Sequence, residues 1–413
     1  MNKTRSRVAV GPLRRSAASN IQPLPAVDAL VSELRPVEPM YCLRPRILTA
    51  TAQRFVSRFP GDVLYAVKCN AEPAVLRSLW RGGVRHFDCA SPGEIRLVRQ
   101  MFPDAHIHYM HPIKSPSFIR EAYFEHGVRD FSLDSAEEIE KILAATEGAA
   151  DLGLYIRMAV PKGQTAYDLS GKFGAAPELA AELLRQARPV AARLGLCFHV
   201  GSQCLDPAVY ERTLDLAGTV IAAAGVPVDG IDVGGGFPVS YPEQKPPDLA
   251  QFFAAIERGF ARLGLPNARL WCEPGRAMVA AGASLVVQIV ARRGDVLHIN
   301  DGVYGNLSDA GYPKWRFPAR LVRPGAAVPK DGLKPFSFYG PTCDSADYMC
   351  GPFLLPEDAA PGDWIELGQL GAYGTCLRTG FNGFERTLIV DVADQPLLAT
   401  AGHLDHVRVR RAA

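Results

Sequence analysis

The sequence predicts an α/β fold: a (β/α)8 TIM-type barrel followed by a C-terminal β domain. Three observations carry this. Between about residues 60 and 275, eight short apolar runs alternate with longer amphipathic stretches, the pattern of strands each followed by a helix. Polar residues with chemical potential cluster at the C-terminal ends of those runs, the edge where a barrel carries its active site. After about residue 283, helical periodicity gives way to strands broken by Gly and Pro. A doubly wound open sheet is the competing architecture, because alternation does not show closure.

Taken in order, the first twenty residues hold Lys3, Arg5, Arg7, Arg14 and Arg15, with no acidic residue before Asp28. Residues 1–25 read as a basic, disordered tail; an organelle-targeting peptide is the lesser alternative. Residues 26–282 form the expected barrel unit, its first residues available to pair with the β domain, and residues 283–413 the β-rich unit. The expected barrel strands are Val63–Val67, Arg85–Cys89, His106–Met110, Asp130–Leu133, Leu152–Met158, Leu196–Val200, Gly230–Val233 and Arg269–Cys272. Helical periodicity covers Pro92–Met101, Ser135–Ala145, Ala176–Leu194 and Leu249–Leu263. In the β domain, Ser284–Ala291, Asp295–Asn300, Pro335–Tyr339, Trp364–Leu367 and Thr387–Val392 read as strands.

Composition bounds the function. The 413 residues are 48% apolar and 21% charged with a net charge of +2, an ordinary globular balance. Without a basic stripe interleaved with aromatics, nucleic acid is not an expected partner. No apolar run is long enough to cross a bilayer, so no membrane role is expected. Nine cysteines are scattered without a CxxC pair, which fits reduced thiols in a cytoplasm and predicts no metal site.

Lys68 ends the first apolar run, in Tyr65-Ala66-Val67-Lys68-Cys69-Asn70. A lysine at a strand end is ordinarily solvated, but one captured as a Schiff base performs carbonyl chemistry. Glu273 closes the last strand after Leu270-Trp271-Cys272 and needs a cationic or proton-donating partner. Arg276 supplies one structurally; alternatively Glu273 pairs with a cofactor ring nitrogen and Arg276 with a phosphate. Gly234-Gly235-Gly236 exposes backbone N–H groups to which a phosphate can come close, and it is not the G-x-G-x-x-G of a dinucleotide site. His199, followed by Gly201 and Ser202, offers an aromatic face beside a hydroxyl. Asp88 and Arg157 also lie at strand ends. Cys343 and Asp344 follow the Gly340-Pro341 turn in the β domain. Together these residues fit pyridoxal 5'-phosphate chemistry.

From about Tyr65 to Phe384 the chain resembles the fold-type III pyridoxal-phosphate decarboxylases, alanine-racemase-like in fold and nearest to the ornithine/lysine decarboxylases. The resemblance rests on Tyr65–Asn70, Phe87–Ser91 with Glu94, Leu169–Gly174, His199–Gln203, Gly234–Phe237, Glu273–Arg276, Asn300–Gly305, Gly340–Asp347, Gly371–Tyr373 and Phe381–Phe384. It implies that Lys68 carries the cofactor, His199 stacks on its ring and Glu273 meets its nitrogen. Ser202, Gly235, Gly236, Gly275, Arg276 and Tyr373 would hold the phosphate, with Asp88 and Arg157 beside the cofactor. Cys343 would return a proton to Cα, and Asp344, Asp309, Tyr304 and Phe381 are the substrate-side candidates. The resemblance further implies a homodimer in which Cys343 and Asp344 reach the partner's barrel. The expected reaction takes L-ornithine to putrescine, or L-lysine to cadaverine, in polyamine biosynthesis.

The chain departs from the pattern where ornithine enzymes place an acidic residue nine positions after the motif tyrosine. Counted from Tyr304, that position is Pro313, and the nearest acid is Asp309. The alternatives are a diaminopimelate decarboxylase, an enzyme for arginine or a carboxylated polyamine, and, from another class, an inactive regulatory homologue. Asp344 and Val67-Lys68-Cys69 favour the diamine-producing side, and intact Lys68, Glu273 and Cys343 oppose the inactive reading.

Overall fold

A computed structural model describes residues 24–160, 171–329 and 332–400. The tail residues 1–23 and Leu169-Ser170 of the resemblance motif lie outside the described residues. The chain enters through α1 (Val27–Leu34), β1 (Met40–Leu43) and α2 (Pro45–Arg58), and then winds a barrel. Its strands are β2 (Asp62–Ala66), β3 (His86–Cys89), β4 (His106–Tyr109), β5 (Asp130–Leu133), β6 (Gly153–Arg157), β7 (Arg193–Cys197), β8 (Gly230–Asp232) and β9 (Arg269–Cys272). All neighbouring pairs are parallel, and β9 pairs back onto β2, so the sheet closes. The open-sheet alternative falls here. The covering helices are α3 (Pro73–Arg81), α4 (Pro92–Met101), α5 (Pro116–Phe124), α6 (Ala136–Ala145), α7 (Pro177–Ala187), α8 (Ala208–Ala224) and α9 (Leu249–Arg262).

The local signals agree with these elements. Pro stands in the first turn of α3, α4, α5 and α7, where its missing N–H costs no helix bond. Before α4, Ser91 accepts from the Glu94 N–H while Glu94 accepts from the Ala90 N–H, a reciprocal cap. The helix expected to run to Leu194 instead stops at Ala187. Pro189 follows two residues later and ends it. The sixth barrel strand accordingly starts at Arg193, three residues before the expected Leu196. Phe198 continues the apolar run because it too is fully buried, so His199 sits two residues beyond the strand.

After α10 (Arg276–Val279) come β10 (Ala283–Arg293), β11 (Val296–Ile299), β12 (Ala319–Val322), β13 (Leu333–Tyr339), β14 (Tyr348–Pro356), β15 (Trp364–Leu367) and β16 (Leu388–Asp391). Six strands run in the order β12-β15-β10-β11-β13-β14, and β1 joins β10 to β16. The reading missed β1, β12 and β14. In β14, Gly351-Pro352 suggests a break, but it falls where the pairing with β13 shifts register, a place where a strand tolerates proline. Buried Arg44, just after β1, ties neighbouring strands of this sheet: its guanidinium donates to Ser284 Oγ on β10 at 2.9 Å and to Glu366 Oε1 on β15 at 2.9 Å.

Candidate active site

The C-terminal mouth of the barrel opens into a cavity of about 260 Å3. It is lined by Lys68, Asp88, Arg157, His199, Ser202, Gly235, Gly236, Glu273, Gly275, Arg276 and Tyr373. These are all of the residues expected from sequence to meet the cofactor. All but Tyr373 lie at or just beyond the ends of six barrel strands, β2, β3, β6, β7, β8 and β9, so closure of the barrel gathers them, and Tyr373 comes in from the loop after β15.

Strand β2 stops at Ala66, and Val67–Cys69 forms a single 3-10 turn that turns Lys68 into the cavity. Lys68 Nζ donates to Asp88 Oδ2 at 2.9 Å. Burial works against the ammonium, but Asp88 and Glu273 outweigh it and hold its pKa above the usual lysine range. His199 shows the opposite balance. Burial, with Arg157 and Lys68 nearby, holds it well below the usual imidazole pKa, so the ring is neutral. Its Nδ1 accepts from the Gly201 N–H at 3.0 Å, which fixes the ring.

Glu273 is buried, and its Oε1 has no partner. Burial, reinforced by Asp232 and Asp88, raises its pKa well above the usual carboxylate range. Burial therefore favours the neutral carboxyl in the protein alone, where the sequence suggests an anion. Asp232, the last residue of β8, escaped the sequence reading. It is fully buried, accepts from the Gly234 N–H at 2.8 Å and is itself shifted upward by burial. Its signal was available: an acid inside an apolar strand, two residues before a glycine triplet.

Arg276 is buried among aromatic rings, its guanidinium 3.7 Å from the Trp315 centroid and 4.7 Å from that of Tyr373. It donates to Tyr241 Oη at 3.0 Å and to Asp309 Oδ2 at 3.1 Å, and its Nε has no partner. Asp309 thus turns inward onto Arg276. Trp315 and Tyr241, which complete this nest, carried no local sequence signal. At Gly235, a Cβ would lie 2.7 Å from Glu273 O and 3.0 Å from His199 Nε2, so only glycine leaves this wall open.

Four remaining candidates form a second cluster. Tyr304 donates its hydroxyl to the Asp344 carboxylate, its ring lies 4.8 Å from that of Phe381, and the Cys343 N–H donates to Asn382 Oδ1 at 2.9 Å. Buried Asp347 holds the loop by accepting from the Val303 N–H at 2.7 Å and Thr342 Oγ1 at 2.8 Å. Cys343 and Phe381 are exposed and Asp344 and Tyr304 half-buried, and none of the four lines the Lys68 cavity of its own chain.

A pyridoxal phosphate fits the residues present. The orphan Glu273 Oε1 suits its ring nitrogen, the orphan Arg276 Nε and the bare glycine wall suit its phosphate, and Lys68 reaches into the same space. Comparison with known proteins agrees. Residues 46–280 match the pyridoxal-dependent decarboxylase pyridoxal-binding domain. A lysine/ornithine decarboxylase of Selenomonas ruminantium is 35% identical over 345 residues, 81% of this chain and 84% of that protein. The putrescine complex of a Vibrio vulnificus lysine/ornithine decarboxylase superposes with a TM-score of 0.76 at 29% identity, covering 89% of this chain and 97% of that one. The agmatine complex of a Paramecium bursaria Chlorella virus arginine decarboxylase gives 0.78 at 26% identity, over 89% and 99%. The chain therefore belongs to the pyridoxal-dependent decarboxylases, as a fold-type III amino-acid decarboxylase close to the ornithine and lysine enzymes.

Proposed function

We propose that this enzyme decarboxylates L-ornithine or L-lysine, forming the diamine putrescine or cadaverine for polyamine biosynthesis. The observation that carries the reading is the meeting of Lys68, Asp88, His199, Glu273 and Arg276 around one cavity, with a buried acid oxygen left unpartnered. When bound, the cofactor supplies an electron sink for the carbon that loses carbon dioxide. Lys68 holds the cofactor covalently, and Asp88 keeps the Lys68 Nζ in place. His199 offers a neutral ring face. Glu273 meets the ring nitrogen and holds a proton there; in the protein alone, burial beside Asp232 and Asp88 raises its pKa. Ser202, Gly235, Gly236, Gly275, Arg276 and Tyr373 hold the phosphate, and Arg157 borders the cofactor.

Cys343, Asp344, Tyr304 and Phe381 belong to the same site, supplied by the second copy of a two-fold homodimer. The exposure of Cys343 and Phe381, and the absence of all four from the lining of their own chain's cavity, support this. Cys343 Sγ would deliver a proton to Cα, while the Asp344 carboxylate would receive the substrate's distal ammonium. Asp309 is committed to Arg276, which leaves Asp344 as the acid available for that ammonium. The nine unpaired thiols support a cytoplasmic location. A substrate panel of ornithine, lysine, arginine and diaminopimelate, read by carbon dioxide release and product chromatography, tests the assignment. Turnover confined to arginine or diaminopimelate would refute it.

A further inference from the structure

The opposite end of the barrel is also built from ionisable side chains. Asp62 opens β2, His86 opens β3, His106 opens β4, Asp130 opens β5, Arg193 opens β7 and Arg269 opens β9. The two remaining strands open with Gly153, whose missing side chain makes room for the Asp130 carboxylate, and Gly230, which lies against the Tyr155 ring. These charged ends wall a cavity of about 710 Å3, to which Arg99 and Arg129 also contribute. Four arginines face two aspartates there, and Asp151 just outside pairs with Arg129, which leaves a local balance of +1 before any histidine is protonated.

Both aspartates are already satisfied. Asp130 meets Arg193 at 2.8 Å and His108 at 3.1 Å, and Asp62 accepts from Trp271 Nε1 at 3.1 Å. Of the four arginines, Arg193 pairs with Asp130 and Arg129 pairs with Asp151 at 2.6 Å, outside the lining. Arg99 donates to the carbonyls of Pro103, Ala105 and His126 and, among the described residues, forms no ion pair. Among the described residues, the ion pairs of this cavity use neither Arg269 nor His106. His106 is exposed and stacks on His86 at 4.5 Å. A metal cation would meet four arginines, and His86 Nδ1 and His108 Nε2 already bond each other at 3.0 Å. The donors left open among the described residues, the Arg269 fork and the His106 imidazole, are of the kind that recognises phosphate oxygens.

We propose that this basal cavity binds a small polyvalent anion of the polyphosphate class, at a site separate from the one that takes the cofactor. Its volume exceeds the need of a single phosphate, and its donors are spread over several strands. The test is calorimetric titration of the holoenzyme, saturated with pyridoxal phosphate, with sodium tripolyphosphate at low ionic strength, where screening is weakest. One equivalent should bind per chain. The variant R269A/H106A should bind at least about tenfold more weakly, the loss expected when charge-assisted contacts are removed, and should retain decarboxylation. Both side chains are exposed, so folding should survive; R269Q alone carries the same test if it does not. Absent binding, unchanged affinity in the variants, or displacement by excess pyridoxal phosphate would overturn the proposal.

Discussion

Replacing Glu273 with glutamine isolates the proton at the ring nitrogen. The two side chains have nearly the same volume, so the packing around a site only 4% exposed is preserved. What is lost is the exchangeable proton. In the protein, burial with Asp232 and Asp88 pushes that carboxyl toward its neutral form, at the point where the ring nitrogen would sit. Glutamine can donate a hydrogen bond there but cannot give up a proton. Removing one preorganised electrostatic group of this kind slows an enzyme by about 10²–10³-fold, or roughly 3–4 kcal/mol of barrier. Cofactor affinity should fall far less, because Lys68, Arg276 and the glycine wall remain. The assay is single-substrate carbon dioxide release at saturating cofactor, paired with a cofactor titration of apoenzyme by absorbance. A turnover within about threefold of wild type, with the cofactor bound normally, would refute the assigned role.

Lys68→Ala should abolish both turnover and covalent retention of the cofactor after borohydride reduction; a pyridoxyl label found on another lysine would displace Lys68 from its role. Mixing Lys68→Ala with Cys343→Ala protein should restore about a quarter of wild-type activity, since random exchange makes about half the dimers mixed and one site in two complete. A mixture that stays dead despite demonstrated exchange would put the site within one chain. At the barrel base, burial opposes ionisation of Asp130, but His108 and Arg193 outweigh it and hold its pKa at about 2. Because the folded pKa is depressed, the stabilisation is full above the unfolded pKa near 4 and is lost as pH falls through about 2. It amounts to about 2 kcal/mol, so Asp130→Asn should lower stability at pH 7 and flatten its decline below pH 4 in denaturant titrations.

Much of the barrel was legible because its strands are short apolar runs with chemistry at one end. Lys68, Asp88, Arg157, His199 and Glu273 could all be picked out by that rule. The rule failed where burial outlasts the strand, as at Phe198, and where a strand carries a break of its own, as at Gly351-Pro352. It also could not see partners distant in sequence. Asp309 reads as a candidate for a distal ammonium because it follows a family motif; only the fold shows it 3.1 Å from Arg276. Trp315 reads as an isolated aromatic until the guanidinium is found against its face.

The state of Glu273 shows why such residues resist assignment one at a time. A glutamate at a strand end reads as an anion in search of a cation, and Lys68 and Arg157 do pull it that way. Asp232 and Asp88 pull the other way, and in a buried site like charges cannot all be ionised. Asp88 has already committed one oxygen to Lys68, which leaves Glu273 and Asp232 as the acids best able to keep a proton. The proton therefore belongs to the group of acids as a whole, and its release depends on what occupies the cavity. A base arriving beside the unpartnered Glu273 oxygen can take it without either charge being left alone in the protein interior. Storing the proton in this way requires the neighbouring acid as much as Glu273 itself.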